Sequence, residues 1–187
     1  DINPPPWDLS LPNQTSLVWE AGMGTIPGFE NPYGEPWIEF VGPWTPEEIP
    51  GPHDPNQPIP TLHCGEPGGT IDIWIPNNPD PLMVKKIFWQ VTADKAIGSA
   101  TNPPSTNPPG TNQPAPYPHT QWPVDNWYTY NGLIEIRPNP DGEMISFPII
   151  PSTNVSQIVI KTVCVPEPAT LSVLGLGVLA LRRRRRG

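Results

Sequence analysis

The sequence predicts an all-β fold, an antiparallel β-sandwich or jelly roll with long proline-rich loops. Thirty-two of the 187 residues are Pro, which removes a backbone donor and fixes φ, so long helices are excluded over most of the chain. Several short segments alternate apolar and polar residues with the period of two that is typical of strands. Eight Trp, four Tyr and four Phe indicate a packed core rather than a disordered chain.

Seven segments carry the strand pattern. The segment 70–75 is the clearest, because Ile71, Ile73 and Ile75 share one face while Asp72 and Trp74 share the other. The last segment runs directly into the C-terminal tail, so we expect the tail to leave from the edge of a sheet. The predicted strands are 15–20, 36–41, 70–75, 84–92, 127–137, 143–149 and 155–163.

The remaining segments define the predicted domain organisation. Residues 43–61 are rich in Pro and contain acidic residues, which predicts a loop. Residues 98–126 are rich in Pro, Asn and Thr, which predicts a hydrated loop inserted within one domain. That domain is the β-sandwich 15–164, preceded by an extended lead-in over 1–14 and followed by a separate segment over 165–187. No basic and apolar leader pattern follows Asp1. We therefore expect residue 1 to lie near a mature N-terminus or the sequence to be a fragment.

The C-terminal segment has three parts in a fixed order. Two prolines hold its first part extended, and the uncharged second part predicts a single hydrophobic helix over 169–181. The terminal Arg run would stay cytoplasmic under the positive-inside rule. A buried core helix is the alternative for so short an apolar stretch, but a core helix does not end in five Arg. The parts are Val165, Pro166, Glu167, Pro168, Ala169 and Thr170; then Leu171, Leu174, Leu176, Val178, Leu179 and Leu181; then Arg182, Arg183, Arg184, Arg185 and Arg186.

This order closely resembles the PEP-CTERM sorting signal over residues 165–187. The resemblance implies a bacterial protein that is exported, held transiently in the inner membrane and processed there by exosortase, a transpeptidase-like enzyme. It also implies a place at the cell surface or in an extracellular matrix of exopolysaccharide or biofilm. The same tail is sometimes labelled an ice-binding-protein C-terminal domain, which is no evidence of ice binding.

The body of the chain is similar, less specifically, to uncharacterised secreted PEP-CTERM proteins. This similarity implies no activity and transfers no functional residues. It rests on the segments 5–7, 18–20, 85–92 and 158–164.

Charge and cysteine content limit the function further. Without the five terminal Arg the net charge falls from -8 to -13, which argues against nucleic-acid binding because phosphates are held by Lys and Arg. Cys64 and Cys164 are the only Cys, so one disulfide could form in an oxidising compartment. Two free thiols are the alternative.

Candidate chemistry in the body is sparse, and we expect no metal and no cofactor. His53-Asp54 and His63-Cys64 match no standard zinc spacing. Calcium remains a lesser alternative, because four Asp lie in or beside predicted turns. They are Asp72, Asp80, Asp94 and Asp141.

Two tryptophans between prolines are the candidates for sugar stacking. Trp44 and Trp122 would each present a flat ring on a loop, and the alternative is that they pack on neighbouring Pro.

Three functional classes follow from the sequence. The first is a non-enzymatic structural or interaction protein of the cell surface or extracellular matrix. The second is a carbohydrate-binding β-sandwich module. The third is a secreted glycoside hydrolase, for which abundant acidic residues alone give no specific signal.

Overall fold

Two antiparallel sheets make up the described part of the chain. The structure is a computed structural model that describes residues 5–7, 14–25, 31, 33–51, 54, 56–77, 80, 82–95, 97, 104–113, 120–121 and 127–166. These residues contain no helix, and the all-β prediction is confirmed. The strands are β1 Gln14–Glu20, β2 Gly24–Thr25, β3 Trp37–Val41, β4 Trp44–Pro50, β5 Pro58–Cys64, β6 Gly69–Pro76, β7 Met83–Ala93, β8 Ser105–Asn107, β9 Thr111–Gln113, β10 Thr120–Gln121, β11 Tyr128–Ile136, β12 Gly142–Ile149 and β13 Thr153–Pro166.

The larger sheet, sheet A, is built around the longest strand. Its order is β10-β11-β7-β13-β1-β2, with β9 paired to β11 and the β4–β5 hairpin attached to the start of β13. Strand β13 pairs with β7 on one side, and with β1 and β5 on the other. Sheet B has the order β3-β6-β12-β8. Because the partners are far apart in sequence, neither half of the chain could complete these sheets alone.

The core lies between the two sheets and is formed by the alternating apolar residues of each strand. Aromatic pairs join the sheets, since Trp89 of β7 meets Phe147 of β12 edge-on at 5.4 Å and Trp19 of β1 meets Phe40 of β3 at 5.0 Å. Such pairs contribute about 0.5–1.5 kcal/mol beyond the area that they bury. The buried members from sheet B include Ile71, Ile73, Ile75, Ile145, Phe147 and Ile149.

All seven predicted strands are present, with ends that differ by at most three residues. The alternation that defined them is also correct, because Ile71, Ile73 and Ile75 are buried while Asp72 and Trp74 lie on the opposite face. The local period of two therefore predicted both the strands and the faces that they bury.

The prediction of a loop over 43–61 is wrong, because β4 and β5 form a hairpin there. Its four prolines are Pro46, Pro50, Pro58 and Pro60, all at even-numbered positions. The odd-numbered residues of both strands therefore keep their N–H groups for the ladder. Prolines are tolerated in an edge strand when their missing donors do not face the partner.

The loop prediction over 98–126 is partly wrong. Short strands β8, β9 and β10 lie within it, and they join β12 and β11 at the margins of the two sheets. Within the same range, residues 98–103, 114–119 and 122–126 lie outside the described residues.

Candidate functional site

The C-terminal segment begins inside strand β13. Val165 pairs with Val84 and Pro166 pairs with Met83, so the first two residues of the segment belong to sheet A. Strand β13 thus runs past the predicted domain boundary at residue 164. The expectation that the tail leaves from a sheet edge is wrong, since β13 lies between β7 and β1. The segment is therefore continuous with a central strand of the core.

The remainder of the C-terminal segment, 167–187, lies outside the described residues. This range contains the predicted helix 169–181 and the Arg run. In the residues that are described, no helix has the length and hydrophobicity needed to cross a membrane.

A cluster of buried polar side chains lies between the sheets at the end from which the C-terminal segment departs. This polar end cluster consists of Asn77, Lys85, Asn139, Glu143 and Cys164, all of them buried. Lys85 Nζ of β7 lies 3.2 Å from Glu143 Oε1 of β12, and both side chains are fully buried. The ion pair therefore connects sheet A to sheet B.

Hydrogen bonds link the rest of the polar end cluster to the last residues of β13. Cys164 Sγ lies 3.5 Å from the side-chain oxygens of both Asn77 and Asn139. Asn77 Nδ2 donates to Asn139 Oδ1 and to the carbonyl oxygen of Pro140. Cys164 is also the direct cross-strand partner of Lys85. The polar end cluster thus attaches the end of β13 to the turns that precede β7 and β12.

Burial changes the acidity of two members of the polar end cluster. Burial raises the pKa of Glu143 to about 7, and the positive charge of Lys85 offsets part of that rise. Burial likewise raises the pKa of the Cys164 thiol. A thiol that is less acidic than usual is a weak nucleophile at neutral pH, so Cys164 has the character of a structural residue.

The disulfide considered between Cys64 and Cys164 is not formed, and both residues are free thiols. Cys64 lies opposite Thr153 at the start of β13, whereas Cys164 is eleven residues further along that strand (153 to 164). At about 3.3 Å per residue the two Cys are separated by roughly 36 Å, and a disulfide requires Cα atoms less than about 7 Å apart. The sheet register therefore excludes the bond.

Of the two sugar-stacking candidates, Trp44 is among the described residues and Trp122 is not. Trp44 is half-buried against the core, edge-on to Phe40 at 5.4 Å, and its indole N–H donates to the carbonyl oxygen of Val41. Trp44 thus packs on Phe40 and the core, whereas the packing alternative had named neighbouring Pro. Trp122 lies outside the described residues.

The carboxylates considered for metal binding are dispersed. Asp94 accepts two hydrogen bonds from Asn154, and Asp80 caps the turn before β7 through the N–H of Leu82. His63 Nδ1 contacts Asn154 at 3.1 Å and Glu47 at 3.8 Å. Among the described residues no three His, Cys, Asp or Glu side chains are grouped in a way that could hold a metal ion. His53 lies outside the described residues.

An aromatic and acidic face of sheet B was not identified as a site from the sequence. Trp37, Trp74 and Met144 are direct neighbours across β3, β6 and β12, on the face opposite the core. The next row on the same face contains Glu39 and Asp72. The alternation within β6 had already placed Asp72 and Trp74 together, but only the strand order brings β3 beside them.

Comparison with known proteins identifies the C-terminal segment. A family model described as the PEP-CTERM protein-sorting motif matches residues 165–186. A search of curated proteins gave no match. The resemblance of the tail to this signal is thereby confirmed, while the similarity of the body to other secreted proteins of this kind stays a prediction.

Proposed function

The chain carries a PEP-CTERM sorting signal, which marks it for export and sorting to the cell surface, and from this premise we propose a non-enzymatic structural or interaction role in an extracellular matrix. The proposed matrix is the exopolysaccharide of a biofilm. The β-sandwich is the part that is displayed, and the tail is the part that directs it there.

The observation that carries this proposal is the continuity of the sorting signal with strand β13. Val165 and Pro166 are held in sheet A by pairing with β7. Any enzyme or lipid that holds the tail therefore acts directly on a central strand with long hydrogen-bonded neighbours on both sides. This arrangement suits a displayed domain whose sorting signal begins within its own core strand.

We further propose that the tail is a temporary anchor in the inner membrane. The uncharged stretch that ends at Leu181 is short, about 20 Å as a helix at 1.5 Å per residue. The Arg run that follows would stop transfer on the cytoplasmic side. Exosortase would then cut the extended motif close to Pro168 and release the sandwich for surface attachment.

The test is the mass of the protein recovered from the cell surface. The proposal expects a C-terminus close to Pro168 in the wild type. Replacement of the five Arg by Gln should cause mis-sorting of an unprocessed chain, because the stop is lost. A matched control is Lys95→Gln, which removes an exposed positive charge beyond the end of β7 that is farthest from the tail. Surface protein with an intact C-terminus through Gly187 would contradict processing.

Carbohydrate binding is a second candidate function, and one observation favours it. Trp37 and Trp74 lie beside two carboxylates on the face of sheet B that points away from the core. A glycan array distinguishes a carbohydrate-binding module from a purely structural protein. Turnover of any polysaccharide would contradict the non-enzymatic role and return the third class, a secreted hydrolase, to consideration.

A further inference from the structure

The outer face of sheet B carries an ordered set of side chains that the sorting function does not use. This outer face is defined by Trp37 and Glu39 of β3, Asp72 and Trp74 of β6, and Met144 of β12. The alternate residues of the same strands, among them Phe40, Ile71 and Ile145, point into the core. Because these alternate residues fill the core, the side chains of the outer face point away from it.

The two tryptophans of the outer face are cross-strand neighbours, and we call this pair the platform. Trp37 is directly opposite Trp74 in the ladder, and its side chain is 42% exposed. Trp74 is half-buried and lies over Gly142, where a Cβ atom would come within 2.3 Å of its ring. Gly142 therefore leaves the space that the Trp74 ring occupies. The ring therefore lies against the sheet.

Polar groups lie in the row next to the platform. Glu39 and Asp72 are direct cross-strand partners, and Ser146 of β12 is the next residue in that row. Asp72 Oδ1 is buried and accepts no hydrogen bond from any residue in the described part of the chain. Glu39, by contrast, is exposed, so its carboxylate oxygens can accept hydrogen bonds from the hydroxyls of a ligand.

We propose that the outer face of sheet B binds a neutral polysaccharide built from glucose-type sugars. A pyranose ring with equatorial hydroxyls has flat C–H faces that pack on indole rings, while its hydroxyls donate to carboxylates. The paired carboxylates disfavour an anionic polymer, because like charges repel, and the net charge without the terminal Arg run, -13, acts in the same direction. This inference rests on the proposed display of the sandwich in a polysaccharide matrix and names the ligand of its exposed face.

The test measures binding of cellohexaose and laminarihexaose to the full chain in detergent by calorimetry. The proposal expects saturable binding of at least one of the two, and at least about tenfold weaker binding for Trp37→Ala, which corresponds to about 1.4 kcal/mol. Trp74→Ala should have a similar effect. Gly142→Ala should also weaken binding by displacing the Trp74 ring.

The matched control is Leu82→Ala, which removes an apolar side chain that is 59% exposed and is not on the outer face of sheet B. Its affinity should equal that of the wild type. A denaturation curve for each variant separates loss of binding from loss of the fold, and Trp37→Ala should be stable because Trp37 lies on an edge strand.

Four outcomes would overturn the proposal. They are no binding of either hexamer at millimolar concentration, equal affinity of Trp37→Ala and wild type, preferred binding of polygalacturonate, and concentration-dependent self-association that Trp37→Ala abolishes without any sugar. Failure here is distinguishable from failure of the sorting function, because C-terminal processing of Trp37→Ala in cells is measured separately by mass. Normal processing with no sugar binding would reject the sugar site alone.

Discussion

Lys85 and Glu143 form an ion pair between the two sheets, with Nζ and Oε1 3.2 Å apart and both side chains fully buried. Removing one partner of a buried pair leaves an uncompensated buried charge. Replacing both partners by apolar residues leaves no buried charge. Sheet packing at this end of the sandwich therefore depends on the two residues together rather than on either alone.

The first prediction concerns the asymmetry of this pair. Glu143→Leu should lower the free energy of unfolding by about 3–5 kcal/mol, because the buried Lys85 ammonium then has no carboxyl group beside it. Lys85→Met should cost less, since the remaining Glu143 can become neutral by keeping its proton. The double variant Lys85→Met/Glu143→Leu should be more stable than Glu143→Leu alone. Urea unfolding at pH 7 measures all three, and a double variant that loses the sum of the single effects would refute the coupling.

The second prediction concerns pH. The folded-state pKa of Glu143 is raised from 4.5 to about 7, so the folded protein holds a proton that the unfolded chain releases. The contribution of Glu143 to the free energy of unfolding should fall as pH rises from about 4.5 to 7 and be constant above that, a change of about 3 kcal/mol at 1.36 kcal/mol per pH unit.

Glu143→Gln is the control for this pH dependence, because it has no proton to lose. The groups that face Glu143 in the polar end cluster are Lys85 from β7 and Cys164 from β13. The difference between wild type and variant, measured by urea unfolding at several pH values, isolates the effect from that of other carboxylates. Parallel stability curves for the two proteins between pH 4.5 and 7 would show the prediction to be wrong.

The third prediction concerns the two thiols. Thiol titration of the unfolded, unreduced protein should give two reactive groups per chain, because the register keeps Cys64 and Cys164 apart. In the folded protein both should react slowly at pH 7, since burial raises the pKa of each thiol. Cys164→Ala, with one thiol per unfolded chain, calibrates the assay. No reactive thiol in the unfolded wild type would indicate a bridge and contradict the structure.

The fourth prediction concerns the packing of Trp89. A Cβ atom at Gly132 would lie within 2.6 Å of the Trp89 ring, which packs against the core. Gly132→Ala should therefore lower the free energy of unfolding by about 1–3 kcal/mol through overpacking. Gly65→Ala is the matched control, because its nearest contact would be an ordinary 3.4 Å. Equal stability of the two variants in thermal unfolding would mean that the Trp89 ring can move at no cost.

The sequence by itself determined the fold class, the seven main strands and the sorting segment. The alternation at Ile71, Ile73 and Ile75 is a local property, because successive side chains of a strand point to opposite faces wherever that strand is placed. The sorting signal is likewise a local pattern of extended motif, apolar stretch and Arg run. Such features can be predicted because neighbouring residues alone encode them.

Strand order and register were decided by the tertiary structure alone. The hairpin of β4 and β5 was missed because the high proline content of this segment predicted a loop. The prolines occupy only even-numbered positions of the two strands, which leaves the ladder intact. The separation of Cys64 from Cys164, the pairing of Lys85 with Glu143 and the cross-strand position of Trp37 opposite Trp74 all depend on which distant strands become neighbours. That choice is made by the summed burial of two whole sheet faces, and no local segment of the sequence contains it.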